Sequence, residues 1–200
     1  MITKIAAKFE HRKATQALNY FAIQEGGRIN KMKALKLIFF ADRFHLRKYG
    51  RLVTNDSYFA MENGPVASAT RDIMGSNPYL DEQVVDYANS YITGKGYHLI
   101  SKKIPDTNVF SESDLEAIGF AWNKFGHYDK FKLKDITHKY PEYISRKKEL
   151  EHNSSAKMDF DEFFDDPKVN VDKCFELSDK DKKVRRKYLK EIIYLESIWR

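Results

Sequence analysis

Residues 31–48 constrain this chain more than any other stretch. Read as a helix, they place Leu35, Ile38 and Phe39 on one face and Leu37, Phe40, Ala41 and Phe44 on another. A helix that is apolar nearly all round belongs at the centre of a domain. Each large side chain buried there contributes about 1.5–3 kcal/mol, so the rest of the chain must wrap around it. Asn30 supplies an N-cap and Gly50 an end.

The wrapping elements follow from the same periodicity. Residues 14–24 repeat Ala14, Ala17, Leu18, Phe21 and Ala22 at helical spacing, and Gly26-Gly27 stops them. Ser111 with Asp114 resembles a capping box, opening a helix whose stripe is Leu115, Ile118, Trp122 and Phe125. Short helices are expected at 133–138 and 143–151. A long one is expected at 178–199, with Val184, Tyr188, Ile192, Leu195 and Trp199 as its apolar face. Residues 57–62 read as a strand. Asn63-Gly64-Pro65 then turns the chain, with Pro65 opening a helix over 66–74. Thr93-Gly94-Lys95-Gly96 leads into Tyr97-His98-Leu99-Ile100, the best hairpin candidate. The expected class is α+β, mainly α: a helical domain around a buried central helix, with a small antiparallel sheet. The 200 residues fit a single domain.

The lone Cys174 cannot form an internal disulfide. Lys4, Lys8, Glu10 and Arg12 interrupt any leader-like apolar run, and no segment approaches the ~20 apolar residues of a membrane span. The expected location is therefore the cytoplasm. A net charge of +6 permits contact with nucleic acid without demanding it.

Three consecutive motifs resemble one family. They are KLIFFADRFHL at 36–46, YGRLVTND at 49–56 and YFAMENGPV at 58–66, followed by LKDITHKYP at 133–141. Together they are similar to the Panacea domain, the SocA-like antitoxin domain, whose members are often encoded by phages or other mobile elements. The closest resemblance spans 13–143. Residues 153–200 form an extension, ending in the long helix, that matches nothing in the pattern. The resemblance implies a mainly helical scaffold and an antitoxin that neutralises a toxin from a neighbouring gene by direct contact. It implies no enzyme activity, cofactor or catalytic residue. It marks Lys36, Asp42, His45, Gly50, Asp56, Tyr58, Gly64, Pro65 and His138 as structural motif positions.

The residues themselves leave several readings open. Asn63 to Val66 is turn chemistry, or an anion site at a helix N-terminus. Asp42 and His45, three apart, tie their helix to the 50–56 turn, or form an acid–base or metal pair. Six scattered histidines and one cysteine do not make a zinc site, so His138 reads as structural and no metal is expected. Phe160, Asp161, Phe163, Phe164 and Asp165 form an acidic, aromatic block. It is a candidate clamp on a basic toxin, or an edge whose phenylalanines turn inward. Lys182, Lys183, Arg185 and Arg186 crowd the start of the last helix. They carry the alternative function, a nucleic-acid-binding regulator, unless the acidic block neutralises them.

Overall fold

The structure is a computed structural model that describes residues 8–198 apart from 76 and 78. At its centre lies α2 (Lys31–Tyr49), buried along almost its whole length. The Asn30 side chain caps it, accepting from the backbone N–H groups of Met32 (3.0 Å) and Lys33 (3.4 Å). Gly50 ends it in the left-handed conformation at φ 78°.

Before α2 come α1 (His11–Gln24) and the short β1 (Arg28–Asn30). After it come β2 (Tyr58–Met61), β3 (Gly64–Ala67), α3 (Ser68–Gly75) and α4 (Glu82–Tyr91). The hairpin β4 (Ile92–Lys95) and β5 (His98–Ser101) leads to α5 (Glu112–Phe125). Then follow α6 (Lys130–Thr137), α7 (Pro141–Ile144), α8 (Lys147–Leu150), β6 (Ser155–Lys157), a 3₁₀ turn (Phe160–Phe164) and α9 (Asp179–Ile198). The strands form two antiparallel three-stranded sheets, ordered β1-β5-β4 and β3-β2-β6. The class is α+β, mainly α.

The core is aromatic. Phe40 stacks on Phe125 of α5 at 3.8 Å between centroids, and Phe44 stacks on Phe120 at 4.3 Å. Phe39 sits among Tyr58, Tyr140 and Phe163, each with its ring centre 5.8 Å away.

Several expectations are corrected. Pro65 does not open a helix; it lies inside β3, opposite Ala60. β3 is an edge strand, where a missing N–H costs no ladder bond. Gly64, at φ 95°, makes the hairpin tight enough to keep the chain extended until Ser68. The anion-site reading at that turn falls with the helix. On α5, Leu115 is 38% exposed, while Ala117 and Ala121 face the core, small enough to let α5 approach α2. Residues 82–91 form a helix the periodicity did not announce. On α9, Val184 and Leu195 are more than half exposed and Tyr188 is half exposed with one edge of its ring against Gly50, while Leu189 is buried. Trp199 lies outside the described residues.

Candidate functional site

Asp42 lies at mid-α2 without solvent contact. Its Oδ1 accepts from the Val53 N–H (2.7 Å) and the Thr54 N–H (3.0 Å). Its Oδ2 accepts from the hydroxyls of Thr54 (2.5 Å) and Tyr58 (2.8 Å). Burial pushes the carboxyl up to about 6, against the pull of those hydrogen bonds, so it is ionised at neutral pH. His45 contacts the Arg51 carbonyl through Nδ1 (2.7 Å) and the Ser113 hydroxyl through Nε2 (3.0 Å). Burial lowers its pKa to about 4, so the ring is neutral; with Nδ1 facing a carbonyl, that nitrogen carries the hydrogen. No hydrogen bond joins Asp42 to His45. Each instead secures a different part of the segment after Gly50.

Asp56 continues this pattern, accepting from the backbone N–H groups of Ala69 (3.0 Å) and Thr70 (2.7 Å) and from the Thr70 hydroxyl (2.8 Å) at the start of α3. Gly50 is pressed against the Tyr188 ring, which would lie 2.9 Å from an added Cβ. Among the described residues, no group of three His, Cys, Asp or Glu side chains is placed to share a metal ion. Cys174 is buried, with its thiol pushed up to about 11 by burial, and so stays protonated.

The acidic block and the basic helix start are brought together. Arg186 reaches Asp161 (3.1 Å) and Asp165 (2.5 Å), and Lys182 reaches Asp166 (2.7 Å). Phe160, Phe163 and Phe164 have no exposed surface at all. They cannot anchor a partner in this fold, because Phe39 and Tyr58 of the core surround Phe163 and Tyr58 also meets Phe160. The acidic residues of the block hold α9 down. Of the four basic candidates, Lys183 and Arg185 carry no ion pair among the described residues.

Two arginines of α2 complete this attachment. Arg43 bonds Glu142 (2.6 Å), the Asp165 carbonyl (2.9 Å) and the Lys173 carbonyl. Arg47 bonds the carbonyls of Phe175 (2.8 Å) and Phe163 (3.0 Å) and the Asp166 carboxylate (2.7 Å). Burial works against the Arg43 charge, but the Glu142 carboxylate more than offsets it and holds its pKa above the ordinary value. No local pattern in the sequence signals these contacts, which cross about a hundred positions.

A groove of about 970 Å³ lies between the first half of α2, the β2–β3 hairpin and α7–α8. Lys36 is among its lining residues and is 1% exposed. Its ammonium donates to the Pro65 carbonyl at 2.7 Å. Gly64 leaves room for it: a Cβ there would come within 3.0 Å of Nζ and 2.7 Å of the Thr137 hydroxyl. His138 stacks on the groove wall at Tyr143, 4.2 Å between centroids, and burial lowers its pKa to about 4. Lys36, Gly64, Pro65 and His138, four of the motif positions, thus meet at one place. Position 36 was legible as part of a helix apolar nearly all round, between Leu35 and Leu37. The groove around it was not.

Burial alone lowers the Lys36 pKa from 10.5 to about 7. Unfolded, this lysine keeps its proton up to about 10.5; folded, it releases it near 7. The unfolded state therefore binds more protons between these values, and stability rises with pH across that window, by at most about 1.4 kcal/mol per pH unit. Urea unfolding at pH 7 and pH 9 will show this rise in the wild type. Lys36→Met will remove it. A wild-type curve that is flat or falling across the window would refute the assignment.

Residues 35–144 match the family described as "Antitoxin SocA-like, Panacea domain". That span covers most of α2, both sheets except β1 and β6, and the groove apart from Lys31 and Met32 at the start of α2 and the lining residues from Lys147 onward. No curated protein and no solved structure matches the chain.

Proposed function

This chain belongs to the SocA-like antitoxin family built on the Panacea domain, and from that premise we propose that it is an antitoxin, neutralising a cognate toxin by direct protein–protein contact and without catalysis. The family match over 35–144 carries the reading. The interior supports it: Asp42 and His45, the residues best suited to acid–base work, are both occupied in holding backbone and lack solvent contact. No helix among the described residues is long and apolar enough to cross a membrane, which suits a binding role away from the bilayer. We place that role in the cytoplasm, with the product of a neighbouring gene as partner.

A nucleic-acid regulator is the weaker alternative. Of its four basic residues, Lys182 and Arg186 are committed to Asp166, Asp161 and Asp165. Phosphate contact would have to compete with those pairs.

Growth of cells expressing the neighbouring gene, with and without this protein, tests the proposal. The expected result is arrest with the neighbour alone and growth on co-expression, with the two proteins purifying together. A harmless neighbour, or arrest that persists despite co-expression, would overturn it. Tight duplex binding that vanishes when Lys183 and Arg185 become Ala would favour the alternative.

A further inference from the structure

The groove over Lys36 carries a feature that the fold does not need. An ammonium has three N–H donors. The acceptor the structure gives Lys36 is the Pro65 carbonyl, and among the described residues no carboxylate pairs with it. Almost fully buried lysines are rare unless paired, and a methionine would fill the same space without the desolvation cost. Two more cations, Lys31 and Lys147, stand on the groove and carry no ion pair among the described residues. With Lys36 and Arg71 they make four basic side chains against two carboxylates, Glu62 and Glu151. Between these charges the walls are apolar, from Met32, Leu35, Met61, Val66 and Leu150. Methionine side chains adapt to irregular partners. This is a largely apolar trough with basic side chains along it and the buried Lys36 in its lining.

We propose that this groove is the toxin-contact surface, and that it receives an acidic side chain of the toxin, flanked by apolar residues, onto the Lys36 ammonium. The identity of the partner rests on the antitoxin reading; the chemistry of the groove does not. The apolar neighbours of the incoming carboxylate cover the trough and exclude water, which strengthens the ion pair with Lys36. Val66 and Met61 belong to the β2–β3 hairpin that Gly64 shapes, so the turn positions the wall while Lys36 supplies the charge.

Two arms test this with the full chain. In the first, a random peptide library is displayed on phage and selected on the immobilised protein. Selected peptides should carry Asp or Glu beside large apolar residues. They should bind Lys36→Met at least about tenfold more weakly, the scale of one desolvated charge-assisted pair. In the second, the neighbouring gene product is titrated against the same proteins and rescue of growth is scored. Lys36→Met should fold with an unchanged or higher melting temperature and lose rescue. Lys147→Glu changes only an exposed rim residue, so it cannot fail by unfolding, and it should weaken both interactions.

The outcomes separate the two readings. If peptides bind through Lys36 but the neighbour is harmless, the groove stands as an acidic-segment site and the antitoxin reading fails. If wild type, Lys36→Met and Lys147→Glu all rescue equally, the antitoxin reading stands and the groove is not its contact surface. Selected peptides without acidic residues, or peptides indifferent to both substitutions, would overturn the groove assignment. So would loss of rescue confined to changes on the exposed α9 face, such as Val184→Ser with Leu195→Ser.

Discussion

Glu142→Gln will lower the free energy of unfolding by about 3–5 kcal/mol, the cost of leaving one partner of a buried ion pair without its countercharge. Arg43 and Glu142 are both fully buried and 2.6 Å apart. The guanidinium also holds the carbonyls of Asp165 and Lys173 and lies over the Tyr140 ring at 4.3 Å. It cannot swing to solvent when the carboxylate is neutralised. Domains of this size are stable by only about 5–15 kcal/mol in all, so the variant should be largely unfolded at moderate urea concentrations. Equilibrium unfolding followed by fluorescence measures the loss. The double variant Arg43→Met with Glu142→Leu should recover much of it, because apolar replacement of a whole buried pair is often neutral. A loss below about 1 kcal/mol in Glu142→Gln would mean that water reaches the pair.

Phe163→Ala will cost about 3–5 kcal/mol, as other buried phenylalanine truncations do. The ring sits among Phe39, Tyr58 and Phe160, with centroids 5.3–5.8 Å apart. Whatever activity is lost should therefore be lost through unfolding. At low temperature, or in a stabilised background, the surviving folded protein should bind its partner with wild-type affinity. Denaturation curves and a pull-down at two temperatures distinguish this from a contact role. A stable Phe163→Ala protein that no longer binds would return the ring to the surface. The same measurement speaks to Phe160 and Phe164, which are equally buried.

The helices α1, α2 and α5 were legible because their determinants are local. Caps, periodicity and terminating glycines all act within a few residues. Asn30 and Ser111 do at their helix starts what their side chains suggest, and Ser111 with Asp114 closes a full capping box. The short strands β1 and β6, of three residues each, carry too little pattern to be read; each exists because a longer neighbour pairs with it. Pro65 misled for a related reason. A proline after glycine suits a helix start as well as an edge strand, and only the pairing with Ala60 distinguishes them.

The site divides the same way. Asp42 and His45 read as polar groups needing partners, and the partners include the backbone of the neighbouring segment; Asp56, marked only by the family motif, does the same at the start of α3. The acidic block and the basic helix start were each conspicuous, but the direction of the phenylalanines between the acids was not. A strict alternation would have set their faces; a 3₁₀ turn of five residues does not.

By itself the sequence determined that a helix this apolar must be buried, that helices must surround it, and that the charges near the C-terminus fall into two opposed blocks. All of these follow from side-chain chemistry and short-range periodicity. Only the tertiary structure decided that Arg43 and Arg47 lead from the core to hold residues 163–175, that the phenylalanines face inward, and that Lys36 lines an open groove. The reason is that burial and pairing of charge are properties of contacts between distant segments. Arg43 meets Glu142 and Lys36 meets Pro65 across spans where no local rule operates.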